Sequence, residues 1–153
     1  MAPVTGSVNS LFFRCLLAVV VLAPLPLACN RPWSWSLLAL LVGGLLTAWG
    51  GAALAGRARV PMSLERLRLV MIPFALALAW AWLQSRPWLP PAWTHPIWSE
   101  SATTLGGDVA ATISIAPDRT MTALMRLACY GGVFLLAAQL GRDRARAHEG
   151  LVV

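Results

Sequence analysis

The sequence predicts an all-α integral membrane protein with about four transmembrane helices and a Pro/Trp-rich loop that contains a short interfacial helix. Of the 153 residues, 58% are hydrophobic and only 12% are charged, and the mean hydropathy is +0.69. A soluble domain carries about 25% charged residues, and one with so few would expose large apolar patches. Intrinsic disorder is excluded as well, because disordered chains are poor in apolar residues.

A helix that crosses the bilayer needs about 20 mostly apolar residues. Four windows approach this length: residues 11–29, 36–55, 67–84 and 117–141. The second window lies in a stretch without charge between Arg31 and Arg57. The third contains Pro73, which we expect to kink the helix, and neighbouring helices can tolerate such a kink. The fourth begins with Pro117 and Asp118, which suit a first helical turn.

The first window has two interpretations. It carries Arg14 near its start and Pro24 and Pro26 near its end. One positive charge before a short apolar run is also typical of a signal peptide, and the residues up to Cys29 resemble a lipoprotein cleavage site. Because Pro26 fits such a site badly, we favour a retained helix.

The distribution of arginine predicts the orientation. The twelve basic residues are all Arg. With a cytoplasmic N-terminus, four spans place eight on the inner side: Arg14, Arg57, Arg59, Arg66, Arg68, Arg142, Arg144 and Arg146. Three fall on the outer side: Arg31, Arg86 and Arg119. Arg126 lies within the last span. Because cytoplasmic loops are enriched in basic residues, both termini are predicted to be cytoplasmic.

Small residues recur on the predicted helices. In the second helix they form two adjacent columns: Gly44, Ala48, Ala52 and Gly56, and beside them Gly43, Thr47, Gly51 and Ala55. The fourth helix has Gly131 and Gly132 at mid-span. Such faces favour close approach of helix backbones. The alternative is a groove for a lipid tail.

The outer loop, residues 85–116, is long enough to suggest a function. Its Pro- and Trp-rich first half predicts a stiff segment at the membrane interface. Thr94 or His95 is expected to cap a short helix that runs to Leu105 and stops at Gly106.

Two further features belong to this part of the chain. Trp98 is expected to anchor the short helix in the lipid headgroups, as Trp80, Trp82 and Trp88 would at the end of the third span. Residues 112–115 alternate like a brief strand.

The sequence lacks the motifs of soluble enzymes, and we expect no cofactor and no metal. The predicted topology separates His95 from His148, so a His–carboxylate pair is possible only between His95 and Glu100 or Asp108. The simpler interpretation of His95 is a residue at a helix start. A disulfide between Cys29 and Cys129 is not expected. Nucleic acid is not a predicted partner, because no basic stripe is interleaved with exposed aromatic residues.

Arg126 is the charge that the bilayer should resist most. An arginine inside a span faces the protein interior or a water-filled cavity, or extends towards the interface. The functional alternative is that Arg126 binds a phosphate of a lipid-linked substrate. Arg119, two turns earlier, and Tyr130, one turn later, are the other candidates for this site.

Residues 95–149 carry a family resemblance. The matching features are the His-Pro-Ile-Trp run at 95–98, the Ser-Ile-Ala-Pro-Asp stretch at 114–118, the helix ALMRLACYGGVFLLA at 123–137 and the Arg-rich turn after it. In these features the chain resembles the N-terminal region of bacterial O-antigen ligase-like and polymerase-like proteins.

The resemblance implies an inner-membrane, glycosyltransferase-like protein of lipopolysaccharide biosynthesis. Such proteins move glycan from undecaprenyl diphosphate to an acceptor, such as lipid A-core, at the periplasmic face without a metal. Their essential residues lie in later segments, so no catalytic residue is carried over to this chain. The final Leu151-Val-Val starts an apolar run that stops at once, and we expect the chain to be a fragment of a longer polytopic protein.

Three functional hypotheses follow. The first is the N-terminal region of an O-antigen ligase or polymerase, inactive alone. The second is a small non-enzymatic four-helix membrane scaffold or partner subunit. The third is a transporter fragment, which is weakened because no inverted repeat is visible.

Overall fold

The computed structural model describes residues 4–23, 32–143, Arg146 and His148. In this part of the chain there are five α-helices, one 3-10 turn and no β-strand. The helices are α1 (Val4–Leu22), α2 (Pro32–Leu54), α3 (Leu64–Gln84), α4 (Ile97–Leu105) and α5 (Pro117–Leu140), and the 3-10 turn covers Pro91–Trp93.

Among the described residues, three helices are long and apolar enough to cross a membrane: Trp33–Leu54, Glu65–Gln84 and Pro117–Leu140. At most 17% of the apolar window in any of them is buried within the chain. Apolar surface this extensive requires an apolar environment, which a bilayer provides. The second, third and fourth predicted windows are therefore confirmed as apolar helices of spanning length.

The first predicted window differs from the structure. Helix α1 begins before residue 11 and ends at Leu22, and its apolar part, Val8–Leu22, is shorter than a full span. The rest of this window, with Pro24, Pro26 and Cys29, lies outside the described residues. Four spans therefore remain a prediction, whereas three long apolar helices are observed.

The described residues form two compact units. Unit 1 draws on Met1–Leu69 and Ala128–Val153, and unit 2 on Val70–Leu127. The core of unit 1 joins three helices. Phe13 and Leu16 of α1 pack in one cluster with Trp49 of α2, and with Leu136 and Leu140 of α5, both fully buried. The apolar residues of α1 are thus part of the core of this unit.

Helix α2 ends in a left-handed glycine. Gly56 has φ of 71°, its N–H donates to the Ala53 carbonyl, and the Arg57 N–H donates to the Ala52 carbonyl. These two bonds are those of a Schellman motif, which favours glycine at this position. Gly56 therefore terminates the helix.

Two buried side-chain amides hold the loop between α2 and α3. Asn9 of α1 donates to the Arg59 carbonyl at 3.0 Å and accepts from the Arg59 N–H at 3.3 Å. Gln139 of α5 makes the same pair of bonds with Met62: it donates to the Met62 carbonyl at 3.1 Å and accepts from the Met62 N–H at 3.0 Å. Both amides are almost fully buried. We call these the two amide clasps.

The close helix contact in unit 1 uses a glycine of α5. A Cβ atom on Gly132 would lie 2.9 Å from Cγ1 of the buried Val42 in α2. The expectation of close packing at the paired glycines of α5 is therefore confirmed at Gly132.

The small-residue columns of α2 behave differently from the expectation. A Cβ atom on Gly43, Gly44 or Gly51 would meet nothing within 4 Å in the described structure. Helix α2 packs within unit 1 through the buried Val42 and Trp49, while other bulky residues of the helix, such as Leu40, stay exposed. Most of the small-residue face thus makes no close contact within the described residues.

Unit 2 contains the outer loop. Hydrogen bonds connect this loop to α3 and connect parts of the loop to each other. The Ser114 N–H donates to the Gln84 carbonyl at 3.0 Å, and the His95 N–H donates to the Thr112 carbonyl at 3.0 Å. The Ser85 hydroxyl donates to the Trp82 carbonyl at 2.7 Å. The strand expected at residues 112–115 is wrong: isolated bonds of this kind fix a bent segment, and no ladder forms.

The short helix of the loop matches the prediction closely. Helix α4 runs to Leu105, and Gly106 ends it with φ of 67° and a 3.0 Å bond from its N–H to the Ala102 carbonyl. At its start Nδ1 of His95 accepts from the Ile97 N–H at 3.2 Å. The N-cap residue is Pro96, which follows the two residues expected to cap the helix. Thr94, the other expected cap, donates its hydroxyl to the Pro91 carbonyl.

Aromatic residues cluster in the last turn of α3 and in the residues that follow it. The rings of Trp82 and Trp88 meet edge to face at 5.9 Å, and the Arg86 guanidinium lies 4.6 Å from the centre of the Trp82 ring. Trp88 and Trp93 are well exposed, whereas the indole N–H of the expected anchor Trp98 is buried. An interfacial anchor needs an accessible indole, so Trp88 and Trp93 fit that role better than Trp98.

Candidate functional site

An apolar groove in unit 1 is a candidate site for an apolar ligand. It has a volume of about 460 Å³, within the range of roughly 300–1,000 Å³ usual for small-molecule sites. Helices α1, α2 and α5 line it through Val19, Val20, Ala23, Trp35, Leu38, Cys129, Tyr130, Val133 and Phe134.

Helical periodicity explains why these side chains meet. On α5 the lining residues come in two pairs one turn apart, beginning at Cys129 and at Val133, which places them on one face. On α2 Trp35 and Leu38 are also one turn apart. The Tyr130 and Trp35 rings meet edge to face, with centroids 6.2 Å apart and an interplanar angle of 84°. This aromatic pair joins α2 to α5 at the groove.

The groove is partly open to its surroundings. Tyr130 is 54% exposed and Phe134 is 50% exposed, whereas Cys129 is only 5% exposed and lies deeper. The lining offers an apolar surface with a single tyrosine hydroxyl. Such a surface suits a hydrocarbon chain better than a polar metabolite.

The three predicted phosphate-binding residues occupy different surroundings. Arg126 is half-buried on α5, and Arg119, two turns earlier on the same helix, is exposed. Tyr130 lies in the groove beside Trp35. The structure thus places Tyr130 in the lining of the apolar groove, and phosphate binding by all three residues stays a prediction.

The possible outer-face pair is not formed. His95 is exposed and uses Nδ1 at the start of α4. Glu100 and Asp108 are exposed too, and no ion pair joins either of them to His95 in the described residues. The structure therefore gives His95 a local role at a helix start.

Cysteine and metal chemistry is limited in the described part of the chain. Cys129 is a buried free thiol and Cys15 an exposed one, while Cys29 lies outside the described residues. No group of three His, Cys, Asp or Glu side chains that could hold a metal ion occurs among residues 4–23 and 32–143, Arg146 and His148.

The sequence interpretation missed the two amide clasps. Asn9 and Gln139 carry the buried amides, and each contacts a residue far along the chain. The sequence does indicate that these side chains are bonded, because a buried amide in an apolar helix needs a hydrogen-bond partner. What the sequence does not identify is the partner, because the two ends of each clasp are separated by 50 and 77 residues.

No protein-family model matches the chain, and neither the curated proteins nor the solved structures include a match. The assignment of a function therefore rests on the residues and on the geometry described above.

Proposed function

We propose that this chain is the N-terminal membrane region of an O-antigen ligase-like or polymerase-like protein, and that it holds an undecaprenyl-diphosphate-linked glycan for chemistry at the periplasmic face. The observation that carries the proposal is the apolar groove of unit 1, with Tyr130 and Phe134 at its open side and Cys129 deeper. The features that resemble this family, at residues 95–149, add support.

The groove fits part of a polyprenyl chain for a physical reason. A lipid tail leaves an apolar phase when it binds, so the hydrophobic effect contributes little, and shape and dispersion decide the preference. The edge-to-face contact of Trp35 and Tyr130 provides a stiff, shaped wall of this kind. We assign part of the isoprenoid chain to this groove.

The diphosphate of a lipid-linked substrate needs cationic donors. Arginine supplies several N–H groups in a planar fork that matches phosphate oxygens. We propose Arg126, helped by Arg119, as a phosphate contact, because the two arginines lie two turns apart on α5 and Arg126 lies within the predicted span. Glycosyl transfer itself is assigned to residues outside this region.

A groove-filling variant tests the proposal. Val133→Trp places a large ring in the groove, and we expect the purified protein to bind polyprenyl diphosphate about tenfold more weakly, equivalent to about 1.4 kcal/mol. Leu76→Trp is the matched control, because Leu76 is a 64% exposed residue on α3 outside the groove. Equal binding by both variants, with normal membrane insertion, would remove the groove from the proposal.

The arginine assignment has its own test. Arg126→Ala is expected to weaken binding of the diphosphate lipid, and Arg126→Lys to restore part of it, because lysine keeps the charge without the planar fork. Neither change should affect binding of the uncharged polyprenol. If both variants bind the diphosphate as the unaltered protein does, Arg126 has a structural role only.

A second candidate function rests on the small-residue face of α2. Gly43, Gly44 and Gly51 are exposed and uncovered in the described structure, and such faces mediate close helix association in membranes. We propose a scaffold or partner-subunit role as the alternative. Gly51→Leu should abolish association with another membrane helix through α2 if this function holds, while Leu76→Ala, at a 64% exposed position on α3, should leave it unchanged.

A further inference from the structure

A second cavity in unit 1, separate from the apolar groove, has a strongly basic lining. Its volume is about 560 Å³, and among the described residues its lining carries Arg59, Arg142 and Arg146 together with one carboxylate, that of Asp143. Three positive charges against one negative charge make this cavity a site for an anion. We call it the basic cavity.

Arg146 shows the clearest need for a counter-charge. Its side chain is only 12% exposed, and Nη2 lies 3.4 Å from Oδ2 of Asp143, which is itself 54% exposed. This contact is long for a charge-assisted hydrogen bond, which usually measures about 2.7–2.9 Å. Nε and Nη1 of Arg146 are buried and have no acceptor in the part of the chain that the structure describes. A buried charge compensated so weakly is costly, and a bound anion would relieve the cost.

The fold holds the cavity in place. The Asn9 clasp fixes the backbone of Arg59 from both its N–H and its carbonyl. The Gln139 clasp fixes Met62 in the same loop and comes from the last turn of α5, directly before Arg142. Each arginine is therefore attached to a braced segment or lies close to one, and such preorganisation lowers the entropic cost of binding.

The position of the cavity selects the class of anion. Helices α2 and α5 end at Leu54 and Leu140, shortly before the residues that line it, so the cavity lies where apolar helices stop and headgroups begin. The lining also includes the exposed Val60 and Pro61. It contains no aromatic ring among the described residues on which a nucleotide base could stack. Basic pockets at the cytoplasmic ends of membrane helices bind anionic headgroups, and this is the face that the arginine distribution predicts to be cytoplasmic.

We propose that the basic cavity binds the phosphate of an anionic phospholipid headgroup, with Arg59, Arg142 and Arg146 as its contacts. This ligand differs from the polyprenyl diphosphate of the proposed function in both site and predicted membrane face. The bound lipid would fasten the α2–α3 loop to the end of α5.

Lipid binding by the purified full chain tests the proposal. The protein in detergent is titrated with phosphatidylglycerol or with phosphatidylcholine of the same acyl chains, and retained lipid is counted by native mass spectrometry. We expect the unaltered protein to retain phosphatidylglycerol at least about tenfold better than phosphatidylcholine. Arg146→Gln should lose that preference, because one charge-assisted hydrogen bond to phosphate changes the affinity by roughly tenfold or more. Arg68→Gln is the matched control, because it removes one exposed arginine that does not line the cavity.

Each remaining outcome contradicts the proposal. Equal retention of the two lipids by the unaltered protein, or an unchanged preference in both Arg146→Gln and Arg59→Gln, would overturn it. If Arg146→Gln does not fold, the exposed Arg59 carries the test. Inorganic phosphate that displaces phosphatidylglycerol at an equal concentration would show that the cavity is a free-phosphate site, and the assignment to a lipid would be wrong.

Discussion

Replacement of Gly132 by alanine probes the close contact between α2 and α5 in unit 1. The new Cβ atom would lie 2.9 Å from Cγ1 of Val42, whereas carbon atoms in contact prefer about 3.5–4.0 Å. The two atoms must therefore separate by roughly 0.6 Å or more. Val42 is only 2% exposed, so its side chain has no free space to enter, and α2 and α5 must move apart.

The cost can be estimated by comparison with a second glycine. Overpacking in a filled interior costs about 1–3 kcal/mol, and alanine returns up to about 1 kcal/mol through its higher helix propensity. Gly51→Ala gains the same propensity without the clash, because a Cβ atom there meets nothing within 4 Å. The propensity terms cancel between the two variants. Gly132→Ala should thus be less stable than Gly51→Ala by about 1–3 kcal/mol.

The assay is unfolding in mixed detergent and SDS micelles, followed by tryptophan fluorescence. Val42→Ala, which removes Cγ1, should reduce the effect of Gly132→Ala when the two are combined, with a coupling of about 0.5–3 kcal/mol. Equal stability of the two glycine variants, or the absence of coupling to Val42, would refute the close approach of α2 and α5 on which this reasoning depends.

Three further predictions concern unit 1. Gln139→Ala should destabilise the protein by about 1–3 kcal/mol, because it leaves the Met62 N–H and carbonyl without their buried partner. The control Thr47→Ala, at an exposed hydroxyl, should change the midpoint of SDS unfolding little. In detergent, the membrane-permeant N-ethylmaleimide should modify Cys15, which the chain leaves uncovered, faster than the buried Cys129. Mass spectrometry of labelled peptides would reveal the opposite order if the packing were wrong. Phe13→Ala should destabilise the core that α1 shares with α2 and α5 by about 2–4 kcal/mol, and an unchanged SDS midpoint would exclude α1 from that core.

The sequence predicts the elements of this protein whose signals are local. The apolar windows locate α2, α3 and α5, because about 20 consecutive apolar residues indicate a helix that spans a membrane. The end of α4 follows from Gly106, whose left-handed conformation favours glycine. These features depend on neighbours in sequence, and one sequence contains all of that information.

Features that depend on distant partners were predicted less well. The small-residue columns of α2 suggested that its glycines form the tight contact, yet the contact uses Gly132 of α5 against Val42. Small residues permit close approach without specifying a partner. The groove is a similar case. Helical spacing places Tyr130 one turn from Arg126, but it does not reveal the long-range contact of Tyr130 with Trp35.

Site-specific photo-crosslinking tests the central claim, that the groove of unit 1 holds a lipid-linked substrate. A benzophenone side chain would replace Phe134 at the open side of the groove, or Leu76 on the exposed face of α3, and membranes would be irradiated with radiolabelled polyprenyl diphosphate. We predict strong labelling at position 134, reduced by excess unlabelled lipid, and only weak, non-competed labelling at position 76. Equal labelling at both positions, unaffected by competitor, would contradict the claim.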